Sequence, residues 1–181
     1  QGQGQGQGQQ TPGQQGQRRG QQAKQKEDPE EEQPQEPRCE TLRKEGNASF
    51  EIGKFAHAAQ TYSAALKATP KPARETRWYA ELLSNRSAAY AKLERYDVAL
   101  TDAEKCAKVA PDWPKAHGRL GTALVGLVEL ERAAAAYEQA ASLSAAEGGE
   151  TAAEQWRAKA AEQRAAAACR AEEKAAAAAA L

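Results

Sequence analysis

Between Cys39 and Leu143 the sequence repeats itself in register, and this periodicity constrains the fold more than any other feature. With Cys39, Ala80 and Pro114 as the first positions of three blocks, the eighth positions are Gly46, Ser87 and Gly121, all small. The twentieth are Ala58, Ala99 and Ala133, and the twenty-seventh are Ala65, Cys106 and Ala140. Mostly larger residues fall between them: Leu42, Leu83 and His117 at the fourth position, Tyr90 and Leu124 at the eleventh, Tyr62 and Tyr137 at the twenty-fourth, with Ser49 and Ala103 as the small exceptions at the last two. Pro70 and Pro111 close the first two blocks. Small residues at these spacings let two antiparallel helices approach closely while the larger side chains fill the gaps. One such pair cannot bury its outer face alone, so successive pairs must stack.

The predicted pairs are residues 40–53 with 55–68, 74–92 with 96–109, and 114–127 with 130–143. The second and third blocks start 34 residues apart, but the first and second start 41 apart. Seven residues are about two helical turns, so an extension would keep the same face. Pro70 and Pro72 stop the preceding helix, which assigns the extra turns, with Trp78 and Tyr79, to the start of the next one. Pro114 suits a first helical turn, with Asp112 as the expected N-cap. After Gly148-Gly149, residues 150–181 are mostly Ala with Glu, Lys and Arg, a strong intrinsic helix former. Trp156 is the residue to cover the last open face of the stack. The domain reading is therefore 1–38 as a tail, 39–146 as the repeat domain, and 147–181 as capping helix and Ala-rich extension.

Residues 1–38 are Gln/Gly-rich, then acidic with Pro29, Pro34 and Pro37, and are expected to be disordered for want of apolar residues. The GQGQGQ run lacks the preceding strand that a dinucleotide-binding fingerprint requires. The 181-residue chain has no Met and begins at Gln1, which reads as a fragment or processed piece. Lys+Arg and Asp+Glu balance at 25 each, which gives no overall bias toward nucleic acid or membrane, and neither is expected as a partner. No apolar run approaches the ~20 residues of a membrane span, and no leader pattern is present. Three widely spaced cysteines without a CxxC pair suggest neither a disulfide framework nor a zinc site. A cytoplasmic setting and a monomer are the expectations.

The polar residues are the informative ones. Lys115 and Arg119 lie four apart on the first helix of the third block, away from the stripe of Leu120, Leu124 and Leu127. Arg43 and Asn47 occupy the fifth and ninth positions of the first block, and Asn85 the sixth of the second. These positions share one face of the first helices, which line the concave side of such a stack. Three cations and two amides on one surface suit a carboxylate-rich ligand, above all a chain terminus with two carboxylates on one residue.

The register resembles the tetratricopeptide repeat (TPR) family, whose period is 34 residues. The resemblance implies an all-α, three-repeat superhelix of antiparallel helix pairs with a C-terminal capping helix. The runs LRKEGN (Leu42 to Asn47), SNRSAAYAKL (Ser84 to Leu93) and PDWPKAHGRLG (Pro111 to Gly121) are similar to the carboxylate-clamp TPR domains of Hsp-organising and small glutamine-rich TPR co-chaperones. Those domains bind the C-terminal EEVD motif of heat shock protein 90 and heat shock protein 70. The resemblance implies that Arg43, Asn47 and Asn85 hold the terminal Asp, and Lys115 and Arg119 the terminal and upstream carboxylates. Arg43 stands where that subfamily usually has Lys, replacing a point charge by a planar fork.

The alternatives keep the fold: a TPR targeting module of a larger peptidyl-prolyl isomerase, phosphatase or ubiquitin ligase, or a scaffold for an unrelated peptide. No catalytic residue, metal ligand or cofactor is assigned. His57 and His117 lack partners at metal-site or triad spacing, and Cys106 sits at a packing position. Asn47-Ala48-Ser49 and Asn85-Arg86-Ser87 match the glycosylation pattern only within helices expected to be packed.

Overall fold

The computed structural model describes residues 1–2 and 37–179, and the expectation of disorder in the tail lies outside the described residues. Seven α-helices follow in order: α1 Arg38–Glu51, α2 Phe55–Ala68, α3 Arg77–Lys92, α4 Tyr96–Val109, α5 Pro114–Gly126, α6 Leu130–Ala146 and α7 Glu150–Ala179. A 3₁₀ turn, Lys71–Glu75, lies between α2 and α3. Helices α1 and α2, α3 and α4, and α5 and α6 pack as pairs. Contacts of α3 with both α1 and α5 make the first helices one continuous layer.

The extra residues before the second repeat are not two added helical turns. They form the 3₁₀ turn and three residues of helix ahead of Ala80, so α3 begins at Arg77 rather than at residue 74. Thr76 is extended at φ −97°, ψ 156°, which separates the 3₁₀ turn from α3. The start of α5 differs too. Its N-cap is Trp113, without a side-chain cap bond, because Pro114 is the first helical residue and Asp112 falls one position too early.

The turn inside each pair is built the same way. The fifteenth residue of every repeat, Gly53, Glu94 and Val128, has positive φ (77°, 58° and 65°). Its N–H donates to the carbonyl three residues back, Phe50, Ala91 and Val125 respectively, which closes the helix with a left-handed cap. Glycine takes that conformation without penalty, whereas β-branched Val128 does not.

Alanine dominates the interior: Ala58, Ala65, Ala80, Ala99, Ala103, Ala116, Ala133 and Ala140 are fully buried, with Tyr62, Leu82, Leu83 and Leu124 as the large inserts. The eighth-position glycines explain the short separation within a pair. A Cβ on Gly46 would lie 2.6 Å from Tyr62, and one on Gly121 2.6 Å from Tyr137. In the second repeat Ser87 instead donates to the Ala99 carbonyl at 2.8 Å. Arg86 ties three helices together. Its Nε and Nη2 donate to Asp102 at 2.7 Å each, and Nη1 donates to Ser63 Oγ at 2.9 Å.

Helix α7 packs along α6. Trp156 stacks on Tyr137 with centroids 5.7 Å apart and rings 17° from parallel. Its edge lies where a Cβ on Gly118 would fall, at 2.4 Å. From Ala168 to Ala179 every residue is exposed.

Candidate functional site

Helices α1, α3 and α5 present their polar faces to one groove, which widens into a cavity of about 410 Å³. Arg43, Asn47, Asn85, Lys115 and Arg119 all line it, so residues far apart in sequence meet in one place. The repeat explains why: three first helices in equivalent orientations project equivalent positions to the same side.

Two amides form the neutral end of the groove. Tyr62 Oη donates to Asn47 Oδ1 at 2.8 Å, and Asn85 Nδ2 donates to the same oxygen at 3.1 Å. With Oδ1 doubly engaged, the Asn47 NH₂ is the end left to donate to a ligand. Burial pushes the Tyr62 phenol up to about 12, which keeps it protonated and donating at neutral pH.

The cations differ from one another. Arg43 is clasped by Glu40 on its own helix, Nε to Oε2 at 2.9 Å and Nη2 to Oε1 at 2.6 Å. Trp78 Nε1 donates to Glu40 Oε2 at 3.0 Å and anchors the clasp from α3. Bonding to Arg43, with Trp78 adding to it, holds the Glu40 carboxyl down at about 2. The fork of Arg43 is thus already half used by an intramolecular carboxylate, which the spacing of Arg43 and Asn47 did not reveal. Arg119 is half-buried, with Nε 3.4 Å from the buried Ser84 hydroxyl and no ion pair among the described residues. Burial lowers its pKa. The Lys115 pKa is also lowered, first by the crowding of the groove wall and then by the Arg119 charge. Both groups lack an ion-pair partner among the described residues, so a ligand carboxylate placed between them would meet preorganised charge.

Sequence reasoning missed the remaining lining: Phe50, Glu51, Tyr62, Glu81, Ala88 and Trp113. Glu51 and Glu81 temper the cationic character, and Trp113 carries Arg77 4.2 Å above its ring, with Lys115 at 5.8 Å. Alternation of charged and aromatic residues on helix faces does not distinguish groove from outer surface, so no local signal marked them.

The other titratable groups are elsewhere. Cys106 donates its thiol to the Ala80 carbonyl at 3.2 Å, and burial pushes it up to about 12, far from a reactive thiolate. His57 Nδ1 lies 3.0 Å from Ser49 Oγ, and His117 Nε2 donates to the Pro111 carbonyl at 2.8 Å. Among the described residues, no cluster of three or more His, Cys, Asp or Glu side chains could hold a metal ion, and no helix is long and apolar enough to cross a membrane.

Comparison with known proteins agrees with the stacked-pair architecture. The tetratricopeptide repeat family profile matches residues 80–112, the second helix pair. The Sgt2 TPR domain from Aspergillus fumigatus superposes with a TM-score of 0.61 at 29% identity, over 72% of this chain and 82% of that one. The helical stack has the TPR fold. The first TPR of Spaghetti (RPAP3), solved bound to the HSP90 peptide SRMEEVD, matches with a TM-score of 0.58 and 27% identity, over 71% of this chain and 94% of its own. In sequence, the TPR domain is similar to the Hsp70-Hsp90 organizing protein of Triticum aestivum, 45% identical over 98 residues, 54% of this chain and 16% of that protein. The chain spans about one-sixth of the length of the curated relatives it matches.

Proposed function

We propose that this TPR domain is a peptide-binding co-chaperone adaptor module whose groove clamps the C-terminal carboxylates of an EEVD-type tail of heat shock protein 90 or heat shock protein 70. The observation that carries the reading is that Arg43, Asn47, Asn85, Lys115 and Arg119 line a single cavity. Asn47 and Asn85 supply neutral donors for the terminal carboxylate, and the Arg43 edge not held by Glu40 adds a charged one. Lys115 and Arg119 take the second carboxylate of the terminal residue or the one before it. Relatives named for organising these two chaperones, and a similar domain solved with SRMEEVD, support the same ligand. The binding unit is residues 39–146, with α7 as its cap. Its role in this reading is recognition rather than catalysis.

The test is titration with SRMEEVD bearing either a free or an amidated C-terminus. Amidation removes a charge that the donors are placed to meet, at about 1.5–3 kcal/mol per charge-assisted bond. The amidated peptide is therefore expected to bind at least about tenfold more weakly. Equal affinity for both would refute the clamp.

A further inference from the structure

A lysine places a point charge, whereas an arginine places a plane that must be oriented before its fork can meet a carboxylate. At Arg43 that orientation is imposed from outside the cavity. Glu40 Oε1 accepts from Nη2 at 2.6 Å and Oε2 from Nε at 2.9 Å, a two-point match that fixes the guanidinium plane. An i,i+3 pair on the surface of one helix would by itself exchange among rotamers and contribute little. Here Glu40 Oε2 also accepts from Trp78 Nε1 at 3.0 Å, so the carboxylate is held from α3 as well as from α1. The Arg43 and Glu40 side chains are only 26% and 22% exposed, which sets them apart from an open surface pair. Arg43 lines the cavity, but Glu40 and Trp78 do not: they stand behind it. Nη1 is the guanidinium nitrogen that Glu40 leaves uncommitted.

We propose that Glu40 and Trp78 are positioning residues for ligand binding, which hold Arg43 with its Nη1 edge toward the terminal carboxylate of the bound tail. The inference rests on the clamp reading and adds to it two residues that touch no ligand. With the long side chain already ordered, its loss of rotamer freedom falls on folding and not on binding. Glu40 also offsets part of the Arg43 charge, and the two effects have opposite signs: a clasp that positions raises affinity, and one that competes lowers it. Trp78 is the second residue of α3, directly after the 3₁₀ turn and the extended Thr76. The inserted segment of the second repeat thus supplies the anchor that an arginine at position 43 requires.

The experiment is a double-mutant cycle by fluorescence anisotropy, with free and amidated SRMEEVD titrated against the parent, W78F, E40D, R43K and the double variant R43K/W78F. W78F removes the indole N–H and leaves both charges in place. It is expected to weaken the free peptide by about two- to tenfold, the range for releasing one rotamer-rich side chain. The preference for the free over the amidated peptide should shrink by the same factor. E40D keeps the charge but lacks the reach to hold both guanidinium nitrogens, and it should show the same loss. With R43K, whose ammonium has no plane to orient, adding W78F should change affinity hardly at all. Circular dichroism melting identifies the folded variants, and E40D carries the test if W78F does not fold. Unchanged or tighter binding by W78F and E40D would make the clasp a competitor and overturn the proposal. An equal loss from W78F with and without R43K would overturn it too, because a merely structural role is blind to the residue at position 43. If free and amidated tails bind the parent alike, it is the clamp reading that fails.

Discussion

Asp102→Ala removes the sole carboxylate held by a guanidinium that bridges α2, α3 and α4. Asp102 is 1% exposed, and both its oxygens accept from Arg86 at 2.7 Å. Truncating one partner of a buried pair costs about 3–5 kcal/mol, because the other charge stays behind unpaired. The Arg86 side chain keeps 21% exposure and its bond to Ser63 Oγ, so the lower end, about 3 kcal/mol, is the expectation. For a domain of this size that corresponds to a melting midpoint lower by about 10 °C. Thermal and urea unfolding followed by circular dichroism measure it. The double variant Arg86→Met with Asp102→Leu should recover much of the loss, since a packed apolar pair leaves no stranded charge. Neither residue lines the groove, so the folded fraction of each variant should bind SRMEEVD like the parent. A midpoint for Asp102→Ala within a degree or two of the parent would refute the reasoning, showing that Arg86 rehydrates without cost.

Lys115→Ala and Arg119→Ala should each weaken binding of SRMEEVD about tenfold or more by calorimetry. Lys115→Ala should leave the melting midpoint unchanged, since it relieves repulsion on Arg119; a large drop would make the lysine structural. Glu40 tests pH dependence: its carboxyl is held at about 2 against an ordinary 4.5. A depressed acid contributes stability that is present above the ordinary value and lost as pH falls through the folded one. The stability gap between the parent and Glu40→Gln should therefore close between about pH 4.5 and pH 2, and a gap constant across that window would contradict the clasp. Val128→Gly should raise stability by roughly 1 kcal/mol in urea unfolding. It relieves a left-handed β-branched residue that is 48% exposed and buries little.

The sequence by itself determined the helix pairs and the face on which Arg43, Asn47, Asn85, Lys115 and Arg119 lie. Both follow from local rules: 3.6-residue periodicity, small residues at fixed register and proline punctuation. In a repeat protein each unit contacts its neighbours in the same way, so register in the sequence becomes position in space. Tertiary structure decided what no such pattern encodes. Glu40 and Arg43 are i,i+3 neighbours on α1, but the anchor of their clasp is the Trp78 indole reaching back from α3, and Trp78 is placed by an inserted segment of irregular length. The pairing of Arg86 with Asp102 joins two charges 16 residues apart whose burial comes only from the packing of α2, α3 and α4. The start of α3 escaped prediction because two prolines and an extended Thr76 compete with an otherwise helix-forming run, and packing against α1 and α5 settles where the helix begins. Trp156 locks α7 against Gly118, a contact made across 38 residues of chain between helices that share no sequence repeat.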